Sequence, residues 1–289
     1  MNKINFLYNK VRGWLYTIIM KLSIVVLHHH GPQNVQALLA SIQSADMPEE
    51  TEIFVMDNGG RGGNDMIEAS SYEGLPVRFE SIPNDGFPAG QNYGMNNTTG
   101  QYIAVVNPDI VLEKDSLMNL LQYLEANPKV GMASAQLYYE DGRLQDNTRK
   151  FPKILEMMWR RIAQKKQPAM HYGSPTGEAT PVDWVTGAFY IIRRDVLEQV
   201  GGHDERYFLF MSDVGTCRDV WDAGFGVHQV HNAKAQHGSE RLSSGGPWKM
   251  VRSKIGRIHI KDACTYFLHY AGKPFPRLSP SASSSANKS

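Results

Sequence analysis

The sequence predicts an α/β protein built on a mostly parallel sheet, and three observations carry that prediction. Continuous apolar runs recur at residues 22 to 27, 51 to 57 and 102 to 106. Segments with helical spacing separate them, and strands divided by helices of about ten residues indicate βαβ units. The runs end on His28, Asp57 and the Asn107-Pro108-Asp109 triplet. In open α/β sheets the carboxyl ends of strands are where ligands bind.

Taken in order, "LSIVVL" (22 to 27) is the first strand and "NVQALLASIQS" (34 to 44) the first helix. "TEIFVMD" (51 to 57) is the second strand, "VRFESIP" (77 to 83) the third, and "GQNYGMNNT" (90 to 98) the next helix. "YIAVVNPD" closes the alternation as the fourth strand, and "DSLMNLLQYLEAN" (115 to 127) is an amphipathic helix with Asp115 as its N-cap. Past residue 130 the pattern changes. "VGMASAQLYYEDGRLQD" reads as a strand and a hairpin at Asp141-Gly142. Residues 151 to 180 read as a helix plus a loop, and the stretch from 182 to 230 mixes strand, helix and loop. That half extends the first half and does not repeat its alternation.

The fourth strand poses a question. Proline cannot donate to a sheet ladder, so Pro108 ends the strand and leaves Asp109 at its C-terminal edge. On these residues alone, a turn cap and a ligand contact are equally good readings.

Composition is that of a soluble protein, with 42% hydrophobic and 20% charged residues, and the net charge of +1 offers no global argument for nucleic acid. Cys217 and Cys264 lack metal or redox spacing, which favours a reduced, cytoplasmic chain. Residues 1 to 21 read as an amphipathic, acid-free lead-in helix lying on the protein or on a membrane surface, too short for a bilayer span and without a signal-peptide cleavage site. Residues 279 to 289 are a polar tail expected to be disordered. Residues 241 to 278 form a basic region in which Lys254, Arg257 and Lys261 accompany Ile255, Ile258 and Leu268, and Asp262 is the lone acid. An anionic membrane surface and the protein's own body are equally suitable partners for it.

Two blocks in fixed order, "NDGFPAGQNYGMNNTTGQYIAVVNPD" (84 to 109) and "DWVTGAFYIIRRDVLEQVGGHDERYFLFMSDVGTCRDVWDAGF" (183 to 225), resemble glycosyltransferase family 2. The nearest likeness is to bacterial rhamnosyltransferase-like members that build O-antigen and related surface polysaccharides. The resemblance covers residues 22 to 240 and implies a GT-A fold, with a nucleotide-sugar half (22 to 130) and an acceptor half (131 to 240) on one mixed sheet. It implies that Asp109 holds Mg2+ or Mn2+ against the diphosphate of a nucleotide-sugar donor, with His237 of "AQHGSE" as a further ligand. It implies donor contacts from Asp57 and from Asn84, Gly86, Gly90 and Asn92 of the N-x-G-F-x-x-G-x-N block. Asn107, Trp184 and Gly187 belong to the same donor set, although Trp184 is equally suited to the core. His28 stands where the family has a nucleobase contact, and its neighbours His29 and His30 must point to alternating faces.

Asp213, in "FLFMSDVGTC", matches the family's general base. Ser212 and Gly215 depart from the pattern, which has carboxylates there, and so bring acceptor identity and activity into question. The expected reaction is an inverting transfer of rhamnose or another hexose from a UDP- or dTDP-sugar to a surface glycan or lipid-linked acceptor. Two rivals stand beside it. A nucleotidyltransferase would need a basic Gly-rich loop after the first strand, which "HHHGPQN" does not supply. A degenerate transferase serving as an assembly scaffold is motivated by Ser212 and Gly215 and opposed by Asp57, Asp109 and Asp213.

Overall fold

The computed structural model describes residues 21–29, 32–59, 74–154, 177–238 and 252–276. The expected N-terminal lead-in helix, His30, most of the helix and loop after 154, the basic residues before 252 and the C-terminal tail lie outside the described residues.

The first half follows the expected alternation: β1 (Lys21–His28), α1 (Pro32–Ser44), β2 (Glu50–Asp57), β3 (Val77–Ser81), α2 (Phe87–Asn96) and β4 (Tyr102–Val106). All four strands are parallel, in the order β3-β2-β1-β4. Leu22 and the run Ile24 to Leu27 make β1 largely apolar because it is covered on both faces. Leu22, Ile24 and Val26 pack beneath Val35, Leu38, Leu39 and Ile42 of α1, while Val25 and Leu27 join Met95 of α2 on the other side. Each such side chain contributes roughly 1.5–3 kcal/mol by leaving water. α2 begins three residues earlier than expected because Pro88 fits the first turn, where no N–H is needed.

Two features past Asp109 were not expected. A short strand, β5 (Ile110–Leu112), follows it at once, and α3 (Ser116–Ala126) then starts without a side-chain cap bond from Asp115. Ser116 Oγ instead donates to the Lys234 carbonyl. β6 (Val130–Tyr138) leads into the turn at Asp141-Gly142, where Gly142 has the left-handed φ of 79° that favours glycine.

The remaining elements are β7 (Thr148–Arg149), β8 (Ala179–Pro181), β9 (Trp184–Val185), β10 (Phe189–Arg193), α4 (Arg194–Val200), α5 (Ser212–Asp222), β11 (Gly226–His237) and α6 (Lys254–His269). β10 lies antiparallel between β4 and β6, and β11 runs parallel to β6 and antiparallel to β5. One mixed sheet therefore joins both halves, in the order β3-β2-β1-β4-β10-β6-β11-β5. α6 packs on the body through Asp262, Ala263 and Tyr266. No helix among the described residues is long and apolar enough to cross a membrane.

Candidate active site

The chain moves from β1 to β2 and β3 on one side and returns to β4 on the other, so a crevice opens between the carboxyl ends of β1 and β4. His28 and Asp57 sit opposite each other in the β1–β2 register at that edge. Across the crevice, the Asn107 N–H donates to the Ala188 carbonyl at 2.8 Å, tying the end of β4 to the start of β10. The antiparallel register of β11 on β5 pairs His237 with Ile110, which brings His237 beside Asp109.

His237 Nε2 lies 3.5 Å from Asp109 Oδ2, and both side chains are largely buried. Gln145 Oε1 accepts from His237 Nδ1 at 2.6 Å. With Nδ1 engaged by Gln145, it is Nε2 that faces the carboxylate, the ring nitrogen that would ligate a cation held between the two. The carboxylate oxygen suits Mn2+ and Mg2+ alike, while the imidazole nitrogen favours the softer Mn2+. Among the described residues no group of three or more His, Cys, Asp or Glu gathers, so a bound ion would take its other ligands from substrate and water.

Asp213 stands in the first turn of α5, one residue inside the helix and two past the N-cap residue Met211. Its Oδ1 accepts from the Val214 N–H at 2.9 Å, and its Oδ2 accepts from the Gly187 N–H at 3.3 Å. Gly187 precedes Ala188, so Asp213 and the Asn107–Asp109 turn meet through two adjacent residues of the β9–β10 link. Burial pushes the Asp213 carboxyl above the usual carboxylate range, against the pull of the Val214 and Gly187 N–H groups and the Arg149 charge. Met211 has φ 68°, the one left-handed non-glycine residue among those described, and such strain persists only where its surroundings hold it.

Several expected donor contacts are engaged within the fold. Asn92 donates to the His203 carbonyl and to Glu205 Oε1, both at 2.8 Å, and accepts from the His203 N–H at 2.8 Å. Its amide therefore bridges α2 to the loop before α5, in place of a ribose or diphosphate bond. Gly90 admits the sheet and not a ligand, since a Cβ there would lie 2.7 Å from Leu27 Cδ2. Gly86 combines φ 111° with a position 2.8 Å from the Phe208 carbonyl oxygen for any added Cβ. Asn84 Oδ1 closes the turn before it on the Gly86 N–H at 3.3 Å.

Trp184 is a core aromatic whose indole N–H donates to the Lys150 carbonyl at 2.9 Å. Asp57 Oδ1 accepts from the Gly59 N–H at 2.7 Å, so this carboxylate makes a turn whatever else it does. His28 is buried and His29 exposed, as alternation requires. Gly215 is also clarified: a side chain there would meet the Tyr207 ring at 3.3 Å, so the position faces the interior and not an acceptor. Asp219 accepts from the Tyr270 hydroxyl at 2.6 Å.

Sequence reasoning passed over Gln145 and Arg149. Arg149 stacks over Trp184 with 5.3 Å to the ring centroid and pairs with Asp146 at 3.4 Å. Neither residue carries a sequence signal, because a Gln and an Arg after a hairpin resemble any surface pair. Asp262, in contrast, was visible as the single acid of a basic helix.

A family model described as glycosyl transferase family 2 matches residues 23–201. Rhamnosyltransferase WbbL of Escherichia coli (strain K12) is 27% identical over 271 residues, covering 89% of this chain and 97% of that protein. N-acetylglucosaminyl-diphospho-decaprenol L-rhamnosyltransferase of Mycobacterium tuberculosis (strain ATCC 25618 / H37Rv) is 24% identical over 241 residues, covering 74% of each. In fold, the chain is similar to GalNAc-T7, solved with UDP, GalNAc and Mn2+, at TM-score 0.63 and 13% identity over 87% of this chain and 48% of that one. It is also similar to S. aureus TarS 1–349, at TM-score 0.56 and 13% identity over 88% and 73%. The architecture is thus GT-A, and with more than half its length matched by the family model the chain belongs to glycosyltransferase family 2.

Proposed function

We propose that this glycosyltransferase is inverting and metal-dependent, moving rhamnose or another hexose from a UDP- or dTDP-sugar to a lipid-linked acceptor of a bacterial surface glycan. The observation that carries the reading is the pair Asp109 and His237, 3.5 Å apart on the crevice, with Gln145 engaging the histidine Nδ1. These two residues would hold a divalent ion. When bound, the ion supplies charge that offsets the negative charge growing on the departing diphosphate.

Asp213 is the base in this reading. An acceptor hydroxyl donates its hydrogen bond to the Asp213 carboxylate and loses its proton there as its oxygen bonds to the anomeric carbon. The bond from that carbon to the diphosphate oxygen breaks in the same displacement, which inverts the centre. Burial makes Asp213 the stronger base, while Arg149 and two backbone N–H groups favour its ionised, oriented form. His28, Asp57, Asn107 and Gly187 border the donor space, with Asp57 as the base or ribose contact. The choice of rhamnose and of a polyprenyl-diphosphate acceptor follows the names of the two rhamnosyltransferase relatives.

α6 exposes Ile255, Ile260 and Leu268 along with Lys254, Arg257 and Lys261, a combination that suits an anionic membrane surface. The scaffold reading loses one of its motives, because Gly215 faces Tyr207. The test is a transfer screen with UDP- and dTDP-sugars and a short-chain N-acetylglucosaminyl-diphospho-polyprenol, with Mn2+, Mg2+ or chelator. Metal-dependent product of inverted anomeric configuration is expected. Binding without turnover across the panel would favour the scaffold, and equal turnover in chelator would remove the metal role.

A further inference from the structure

Asp262 lies fully buried on α6, outside the stretch matched by the family model. Its partners are three consecutive backbone amides: Oδ1 accepts from Phe208 at 3.1 Å, and Oδ2 accepts from Leu209 at 3.0 Å and Phe210 at 2.8 Å. Successive N–H groups converging on one point form an anion nest, and here the anion belongs to the chain itself. A buried carboxylate persists only where such donors match it. One turn before it on the helix, His259 stacks on Phe210 with 4.4 Å between ring centroids and 19° between planes.

The gathered segment leads directly to the site. Phe210 is followed by Met211 in its left-handed conformation, then by Ser212 and Asp213. The segment is also held from the nucleotide side, where the Phe87 N–H donates to the Phe208 carbonyl at 2.7 Å and Asn92 grips His203 and Glu205. Within α5, Arg218 donates to the Lys273 and Pro274 carbonyls at 3.1 and 3.0 Å, so the segment that follows α6 holds the helix that carries Asp213.

We propose that Asp262 is a positioning residue for sugar transfer: by gathering the amides of 208 to 210 it sets the turn at Met211 that delivers Asp213, and so makes the C-terminal helix part of the transfer machinery. The inference rests on Asp213 being the base.

The experiment compares the full chain with its Asp262→Asn, His259→Ala and Asp213→Asn variants, using whichever UDP- or dTDP-sugar the parent transfers. Asp262→Asn keeps the shape but turns one acceptor oxygen into a donor facing N–H groups. Its kcat should fall at least about tenfold with donor KM and calorimetric nucleotide affinity within about twofold of the parent. His259→Ala should show the same split with a smaller fall, and it decides the matter if Asp262→Asn does not fold. A parent-like kcat per folded molecule, or a loss confined to nucleotide affinity or to the folded fraction, overturns the proposal. If Asp213→Asn is inactive and Asp262→Asn is parent-like, only the positioning role falls. If Asp213→Asn itself turns over like the parent, the base assignment is what fails.

Discussion

The loop at 84 to 92 and the turn at 209 to 213 both carry family-like blocks, yet they use their polar residues in opposite ways. On the nucleotide side, Asn84 closes a turn, Asn92 bridges to His203 and Glu205, and Gly86 and Gly90 let backbone and helix approach Phe208 and Leu27. Before α5, the turn is held by a residue far away in sequence, Asp262, and Asp213 is delivered to the β9–β10 link, where its carboxylate accepts from the Val214 and Gly187 N–H groups. A recurring motif therefore has two kinds of member. Some residues make the scaffold fit, and others are carried by it to the crevice.

This division can be broken by substitution. The largest effect is expected at a carried residue: Asp109→Ala should lower transfer by about two orders of magnitude or more, as loss of a key electrostatic group does. Calorimetry should then show UDP or dTDP binding that no longer strengthens with Mn2+ or Mg2+, while the melting temperature stays near the parent value. Unchanged metal enhancement would move Asp109 out of the carried class.

Scaffold residues should show the reverse pattern. Asn92→Ala strands the buried His203 N–H and carbonyl and should cost about 2–4 kcal/mol of stability, with donor KM unchanged. Gly90→Ala should cost about 1–3 kcal/mol, because its Cβ overlaps Leu27 in a close-packed core. Denaturant titration and donor KM measured together separate the two classes. A KM rise without instability in either variant would contradict the assignment.

The smallest effect sharpens the comparison through pH. Burial raises the Asp213 pKa, so the folded state holds that proton more tightly than the unfolded chain does. Stability therefore falls as pH rises from the ordinary carboxylate range through the raised value, and the ionised group lowers stability at neutral pH. Asp213→Asn should melt at or slightly above the parent temperature at pH 7, with any gain vanishing at low pH. For the same reason the acid limb of parental kcat should lie above the usual carboxylate range.

The parallel half was legible because β1, β2 and β4 are covered on both faces and leave no ambiguity with loops. β5, β7 and β9 were not, since two or three residues carry no period and form only where a partner strand is already present. Asp109, Asp213 and His237 were singled out through the family resemblance, but their neighbours were not. Gln145 reaches His237 across 92 residues and Asp262 reaches Phe210 across 52, and such pairings are products of tertiary register. The same register explains why the partners of Asn92 were not legible: its type suits a ligand, and only the fold brings His203 to it.

The central claim, that the turn before α5 exists to present a base, is tested most directly by the transfer rate of Asp213→Asn. Because Met211 and not Asp213 occupies the N-cap, and Asn can keep its oxygen on the Val214 N–H while giving up the longer Gly187 contact, the variant should fold and bind nucleotide with metal as the parent does. Transfer should fall by about two orders of magnitude or more, since Asn cannot take the hydroxyl proton. Transfer at close to the parent rate would show that this carboxylate serves only the turn.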